Sequence, residues 1–249
     1  GPEGAVVELR FEATELQMVR NIAERHFASC DVLVSAGEIM VPELFVSDMD
    51  STMIGQECID ELADYAGIKP QIAAITERAM QGELDFESAL RERVALLQGL
   101  EESAIERCLA ERIFANPGAG ELLARLKAKG ARTVLVTGGF HHFADRVAEE
   151  LGFDRVVGNR LEVKDGKLTG RLEGAVSDAQ TKARVLAEEL TGLGGDAVSV
   201  AIGDGANDIP MIEAATYGFA YCAKPAAREA ACGRVESGNL SRVLDLLGV

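Results

Sequence analysis

The stretch Leu44-Phe45-Val46-Ser47-Asp48-Met49-Asp50-Ser51-Thr52-Met53-Ile54 decides how the rest of the chain is read. Three apolar residues end abruptly in two carboxylates spaced i, i+2, with two hydroxyls behind them. The apolar run reads as a buried strand at the centre of a parallel sheet. A strand ending in Asp-x-Asp presents both acids at its carboxyl end, where open α/β sheets bind ligands. Alternation along an extended segment points Asp48 and Asp50 the same way. Two like charges so close repel, and burying them unpaired is costly. A divalent cation is their natural partner, and hard oxygen ligands suit Mg²⁺. Asp-x-Asp-Ser is also ordinary turn vocabulary, so the motif gains meaning only from the strand ends that follow.

Outward from this strand, the chain changes character twice. From Gln56 to Asn116 there are no strand-like runs. Apolar residues recur at helical spacing in Cys58–Ala66, Ile68–Met80, Phe86–Leu97 and Ser103–Phe114. Ser103 and Glu106 have capping-box spacing. A helical insertion at a strand end that carries acids reads as a lid. After Asn116-Pro117-Gly118 an α/β rhythm begins. Helices are expected at Gly120–Gly130, Phe143–Gly152, Asp178–Leu190, Pro210–Thr216 and Leu240–Leu247. Strands are expected at Thr133–Thr137, Arg155–Gly158, Ala197–Ile202 and Tyr217–Cys222. Lys164-Asp165-Gly166-Lys167 marks a hairpin turn between two short extended runs. Alternating strands and helices with short connections argue a doubly wound parallel sheet.

The sequence before Leu44 reads as a short strand (Val6 to Phe11), an amphipathic helix (Thr14 to His26, Thr14 as N-cap) and an apolar piece (Val32 to Ser35). It is too short for an independent domain. It is expected to be an appendage, packing on the core or serving as an arm of a homodimer. Gly1-Pro2-Glu3-Gly4 reads as a remnant of processing. With 249 residues, 47% of them apolar, the chain fits one large α/β domain or one domain plus a lid. The net charge of −16 argues against nucleic acid or an anionic membrane as partner. It also requires a local positive patch for any anionic substrate. No apolar run reaches transmembrane length. The five cysteines, Cys30, Cys58, Cys108, Cys222 and Cys232, form no Cys-x-x-Cys and read as buried free thiols of a reducing cytoplasm.

Three strands terminate in chemistry: Asp48/Asp50, Thr137-Gly138-Gly139 and Gly203-Asp204-Gly205-Ala206-Asn207-Asp208. Lys182 stands near a helix start between the last two. Carboxylates can hold a cation, while a hydroxyl, the N–H groups of a Gly-rich turn and a Lys can cradle an anion. Together they point to phosphoryl chemistry. Competing motifs fail. Asp48-x-Asp50-x-Thr52 has Met53 where a calcium loop needs Gly, and Ile59 where it needs Glu. Gly203-x-Gly205-x-x-Asp208 lacks the third Gly of a dinucleotide loop, and no nucleotide P-loop is present. His26, His141 and His142 lack metal-ligand spacing, and His141-His142 read as surface residues at a helix start.

On these four motifs the chain resembles the haloacid dehalogenase superfamily of phosphotransferases, and within it the phosphoserine phosphatase family. The resemblance runs from about Leu44 to the C-terminus and extends through the insertion. It includes Glu57, the run from Glu77 through Met80 to Phe86, and the run from Ala89 through Arg93 to Leu97. It implies a Rossmann-like catalytic core over 44–56 and 117–249, a helical-bundle cap over 57–116 and a short β-hairpin flap; it does not cover residues 1–43 well, which read as an appendage or as the remnant of the regulatory domain that some family members carry there. It implies Asp48 as nucleophile and Asp50 as acid and base. Thr137, Gly138, Lys182 and Asn207 would serve the phosphate, with Asp208 there or just behind. Mg²⁺ would sit on Asp48, the Asp50 carbonyl and Asp204. The implied substrate is O-phosphoserine, its ammonium facing Glu57, its carboxylate facing Arg93, with Met80 and Phe86 as an apolar wall. The alternative is a related enzyme acting on another small phosphomonoester such as phosphothreonine or phosphohomoserine. One departure stands out: Thr137 occupies a position where the family usually has Ser, which keeps the hydroxyl and adds a methyl.

Overall fold

The computed structural model describes residues 6–10, 12 and 15–249. Thr14, expected as an N-cap, lies outside them, as do Gly1 to Gly4 and Phe11. Residues 6–10 are irregular and exposed rather than a strand. In chain order the elements begin with α1 (Leu16–His26), β1 (Val32–Leu33) and β2 (Leu44–Ser47). The insertion follows as α2 (Cys58–Tyr65), α3 (Lys69–Met80), α4 (Phe86–Ala95) and α5 (Ser103–Arg112). The chain then runs through α6 (Ala119–Ala128), β3 (Arg132–Phe140), α7 (His141–Leu151), β4 (Arg155–Lys164), β5 (Lys167–Glu173) and α8 (Ala179–Gly192). It closes with β6 (Ser199–Gly203), a 3-10 turn at Ala206–Asp208, α9 (Ile209–Ala214), β7 (Tyr217–Tyr221), α10 (Pro225–Ala230), β8 (Gly233–Val235) and α11 (Arg242–Leu247). The expected helices of the insertion are all present. The expected capping box is not: Glu102 is the N-cap of α5 and makes no side-chain cap bond.

The strands form one sheet in the order β1-β8-β7-β6-β2-β3-β4-β5. The run from β8 to β4 is parallel, and β1 and β5 close the two edges antiparallel. Every residue of β2 is buried, which is why its run is apolar through to Ser47. The chain winds to one side of β2 through β3 and β4, and to the other through β6, β7 and β8. The carboxyl end of β2 is therefore a topological switch point, and Asp48 and Asp50 follow it directly. Aliphatic residues of α8 and α9 (Val185, Leu186, Met211) pack against Leu44, Val46 and Val134 on one face. A larger apolar cluster on the other face joins Phe45 and Leu135 to α6, α7 and the insertion.

β1 was expected only as an apolar piece, but it extends the sheet by pairing with β8. α1 buries no side chain. It is held by polar contacts, with Glu24 pairing Arg228 and Arg234. α10 and β8 were not anticipated, because pieces of six and three residues are too short for a period to show. The hairpin β4–β5 turns through Asp165 and Gly166, both at positive φ, and its tip docks on the insertion. Gly99 N–H donates to Leu168 O at 2.8 Å, and Leu168 N–H donates to Leu100 O at 2.9 Å. Among the described residues no helix is long and apolar enough to cross a membrane.

Candidate active site

Asp48 leaves β2 almost wholly buried, and Lys182 reaches it from the first turns of α8. Lys182 Nζ lies 2.7 Å from Asp48 Oδ1 and 2.6 Å from Asp208 Oδ1, and its side chain is 1% exposed. Burial alone would lower the Lys182 pKa, but Asp48 and Asp208 outweigh it and hold the ammonium charged. Asp208 accepts the Asp204 and Gly205 N–H groups on Oδ2, at 3.1 and 3.0 Å. This packing explains Gly203, where any side chain would collide with the Asp208 carboxylate. Asp204 stands partly buried, with Lys224 Nζ 3.6 Å from its Oδ2. Burial raises the Asp204 pKa, and Lys224 opposes the shift.

Asp50 accepts from the Cys58 N–H at the start of α2, at 3.4 Å. Burial, reinforced by Glu57, lifts its carboxyl to about 7. Glu57 precedes α2, accepts from Ser51 Oγ at 2.8 Å, and is itself shifted upward by burial. Asp48, Asp204 and Asp208 offer oxygens within 4.8 Å of one another. Against these three acids, Asp50 and Glu57, the cations close by among the described residues are Lys182, the exposed Lys224 and, near Asp50 and Glu57 without pairing them, Arg93. The donor set is all carboxylate and its charge is in deficit of cations, which fits a hard divalent ion.

Thr137-Gly138-Gly139 does not end β3, as the sequence suggested, but forms a bulge within it. Val136 pairs with Val157 and Phe140 with Asn159, four steps on β3 against two on β4. Gly139 N–H donates to Thr137 Oγ1 at 2.8 Å. The space for the Thr137 methyl comes from Gly158: a methyl there would lie 3.1 Å from Thr137 Cγ2 and 3.2 Å from Gly139 O. Gly158→Ala should therefore cost about 1–2 kcal/mol of stability and disturb the bulge. Thr137→Ser in the same chain should recover part of that loss. Thermal melts of the two single variants and the double variant test the pairing, and an undiminished loss in the double variant would refute it.

The insertion delivers its residues unequally. Phe86 lies over the bulge, its ring 3.1 Å from where a Gly138 side chain would begin. Arg91 turns outward and pairs with Glu87 at 2.6 Å. Arg93 is partly buried and makes no ion pair among the described residues; its Nε donates weakly to Ala89 O at 3.3 Å. Burial lowers its pKa, against the pull of Asp60, Glu57 and Asp50. Met80 is 79% exposed at the end of α3, and Asn207 is partly buried in the 3-10 turn. His141 and His142 are partly buried rather than surface residues, with His141 Nδ1 2.8 Å from Asp145 Oδ1. All five thiols are free, but Cys30 and Cys222 are exposed and Cys232 is partly so, contrary to the expectation of burial for all five. Two residues beside the site escaped the sequence reading, Lys224 against Asp204 and Asn159 behind the bulge. Asn159 is buried in β4 and bonded to Gly138, and its only signal was a lone amide after a glycine in a strand-like run.

The chain is similar to known proteins over most of its length. The family model of haloacid dehalogenase-like hydrolases matches residues 45–213. The phosphoserine phosphatase of Albidiferax ferrireducens is 47% identical over 210 residues, spanning 82% of this chain and 89% of that protein. A solved phospho-aspartyl intermediate analogue of phosphoserine phosphatase is 40% identical with a TM-score of 0.74, over 82% of this chain and 98% of that one. A hydrolase of the same superfamily from Salmonella enterica serovar Typhi superposes at a TM-score of 0.84 with 30% identity, over 93% of this chain and 79% of that one. With its four motifs gathered at one strand end and these relatives matched over most of their length, the chain belongs to the haloacid dehalogenase-like hydrolases and, within them, to the phosphoserine phosphatase family.

Proposed function

We propose that the protein is a Mg²⁺-dependent phosphoserine phosphatase, hydrolysing O-phospho-L-serine to L-serine and inorganic phosphate as the last step of serine biosynthesis. The observation that carries this reading is a buried carboxylate, Asp48, held by Lys182 at the switch point beneath an inserted helix whose Arg93 is unpaired among the described residues. Asp48, Asp204 and the main-chain carbonyl of Asp50 would hold the metal, which when bound neutralises both the phosphate dianion and the carboxylate that attacks it. Asp208 is a weaker candidate ligand, because one of its oxygens already meets Lys182 and the other two N–H groups. Its part is to hold Lys182 and the turn carrying Asp204.

In this mechanism an Asp48 oxygen attacks phosphorus as the bond to the serine oxygen breaks. Asp50 gives that oxygen its proton, and a carboxyl near 7 can do so at neutral pH. Asp50, now ionised, takes a proton from water. The water oxygen attacks phosphorus, the acyl-phosphate P–O bond breaks, and Asp48 is restored. Thr137, the Gly138 N–H, Lys182 and Asn207 bind the phosphate oxygens. Residues 57–116 act as the lid over a core of 44–56 and 117–249. Glu57 takes the substrate ammonium and Arg93 its carboxylate, with Phe86 and Met80 as apolar cover.

Substrate identity is tested at Arg93. Arg93→Ala removes a charge-assisted contact to a carboxylate, worth roughly 2–4 kcal/mol, so kcat/KM for phosphoserine should fall about 30- to 1000-fold. Phosphoethanolamine lacks the carboxylate, and its slower turnover should change little. Arg93→Lys should rescue only in part, because an ammonium lacks the planar fork. Phosphate release with the two substrates decides the matter: an equal fall for both would make Arg93 a support of the lid and not a recognition group.

A further inference from the structure

The bulge at Thr137-Gly138-Gly139 depends on a side chain that touches neither metal nor substrate in the scheme above. Asn159 is buried in β4, opposite Phe140 where the bulge closes. Its Nδ2 donates to Gly138 O at 2.7 Å, and its Oδ1 accepts from Ser177 N–H at 2.8 Å. The Gly138–Gly139 peptide is thus gripped at both ends, its carbonyl by Asn159 and its N–H by Thr137 Oγ1. A hydroxyl has one proton and two lone pairs. With Gly139 N–H on one lone pair, the Thr137 proton remains available for an incoming anion.

We propose that Asn159 is a positioning residue for the phosphate cradle, acting through this peptide on the Thr137 hydroxyl. The inference rests on the reading of Thr137-Gly138-Gly139 as that cradle. Between two glycines a peptide plane turns over with little steric resistance. A turned plane would withdraw the N–H from Thr137 and aim a carbonyl oxygen toward a site meant for phosphate. Gly139 lies against Asp50: a side chain there would begin 3.0 Å from Asp50 Oδ2. The wrong orientation would therefore place partial negative charge where negative charge already accumulates. The second arm of Asn159 reaches Ser177, one residue before Asp178, which caps α8 by accepting from Thr181 N–H at 2.8 Å. One amide thus ties the bulge to the helix that carries Lys182.

A role confined to stability would act equally whether or not Thr137 has its hydroxyl. A double-mutant cycle separates the two cases. Asn159→Ala should lower kcat/KM for phosphoserine about 30-fold and raise the inhibition constant of inorganic phosphate about 10-fold. In a Thr137→Ala background the same change should cost less than about 3-fold, because the hydroxyl it orients is gone. Equal losses in both backgrounds would overturn the inference. Calorimetric titration with inorganic phosphate reads the cradle without turnover, and circular dichroism verifies folding. If Asn159→Ala melts below the assay temperature, Asn159→Ser, which keeps a small polar group, is carried through the same cycle. A wild type that releases no phosphate from any small phosphomonoester would defeat the enzymatic reading itself. An active wild type with an additive cycle would defeat only the role given to Asn159.

Discussion

Asp48→Asn should reduce phosphoserine turnover by at least about a thousandfold while leaving the protein folded. The amide keeps the shape of the carboxylate, and its oxygen can still accept from Lys182, which retains Asp208 as its ionic partner at 2.6 Å. What disappears is the charge that attacks phosphorus. Stability should hold or rise, because burial and the nearby Asp208 both disfavour a charged Asp48. The melting temperature of Asp48→Asn should therefore be no lower than that of the wild type. Phosphate release and thermal melting, measured on one preparation, distinguish loss of chemistry from loss of fold. Turnover within tenfold of wild type would sink the aspartyl-phosphate mechanism.

Chelation is expected to have an effect of similar size. EDTA should bring activity below about one part in a thousand, and Mg²⁺ should restore it. Ca²⁺ should restore little, because its larger and looser shell misplaces the nucleophile. A second readout does not need turnover. An ion that binds only the folded state raises stability by about 2.7 kcal/mol at a hundred times its dissociation constant. With the carboxylates of Asp48 and Asp204 crowded within 4.8 Å of each other and of Asp208, the protein should thus melt at higher temperature in Mg²⁺ than in EDTA. Asp204→Asn should shrink that gain and raise the Mg²⁺ concentration needed for half-maximal activity. A melting temperature and activity indifferent to chelation would contradict the metal reading of this cluster.

The sequence carried far into the fold wherever a local pattern had one physical meaning. Leu44 to Val46 is apolar without alternation because β2 is covered on both faces. The helices of the insertion announced themselves by spacing, and Asp165-Gly166 by the positive φ that its turn requires. The bulge after Val136 was invisible, since β3 continues through two glycines that usually end a strand. Ser103 looked like a cap, yet α5 starts from Glu102 in helical conformation, so the box spacing had no N-cap to serve.

The sequence by itself determined the composition of the candidate site: Asp48, Asp50, Thr137, Lys182, Asp204 and Asp208 stand at or near the ends of elements that any doubly wound sheet brings to one edge. Tertiary structure decided between residues that the sequence could not tell apart. Arg91 and Arg93 are two residues apart on one charged helix, and only packing sends the first to Glu87 and leaves the second partly buried. Packing also set Gly158 beneath the Thr137 methyl, and the Asn159 amide on the Gly138 carbonyl 21 residues away. The reason is physical. Periodicity along a chain records which side chains must leave water, because burial free energy scales with apolar area and has no direction. Hydrogen bonds and close contacts have direction, and their partners are fixed only when distant segments are set in register.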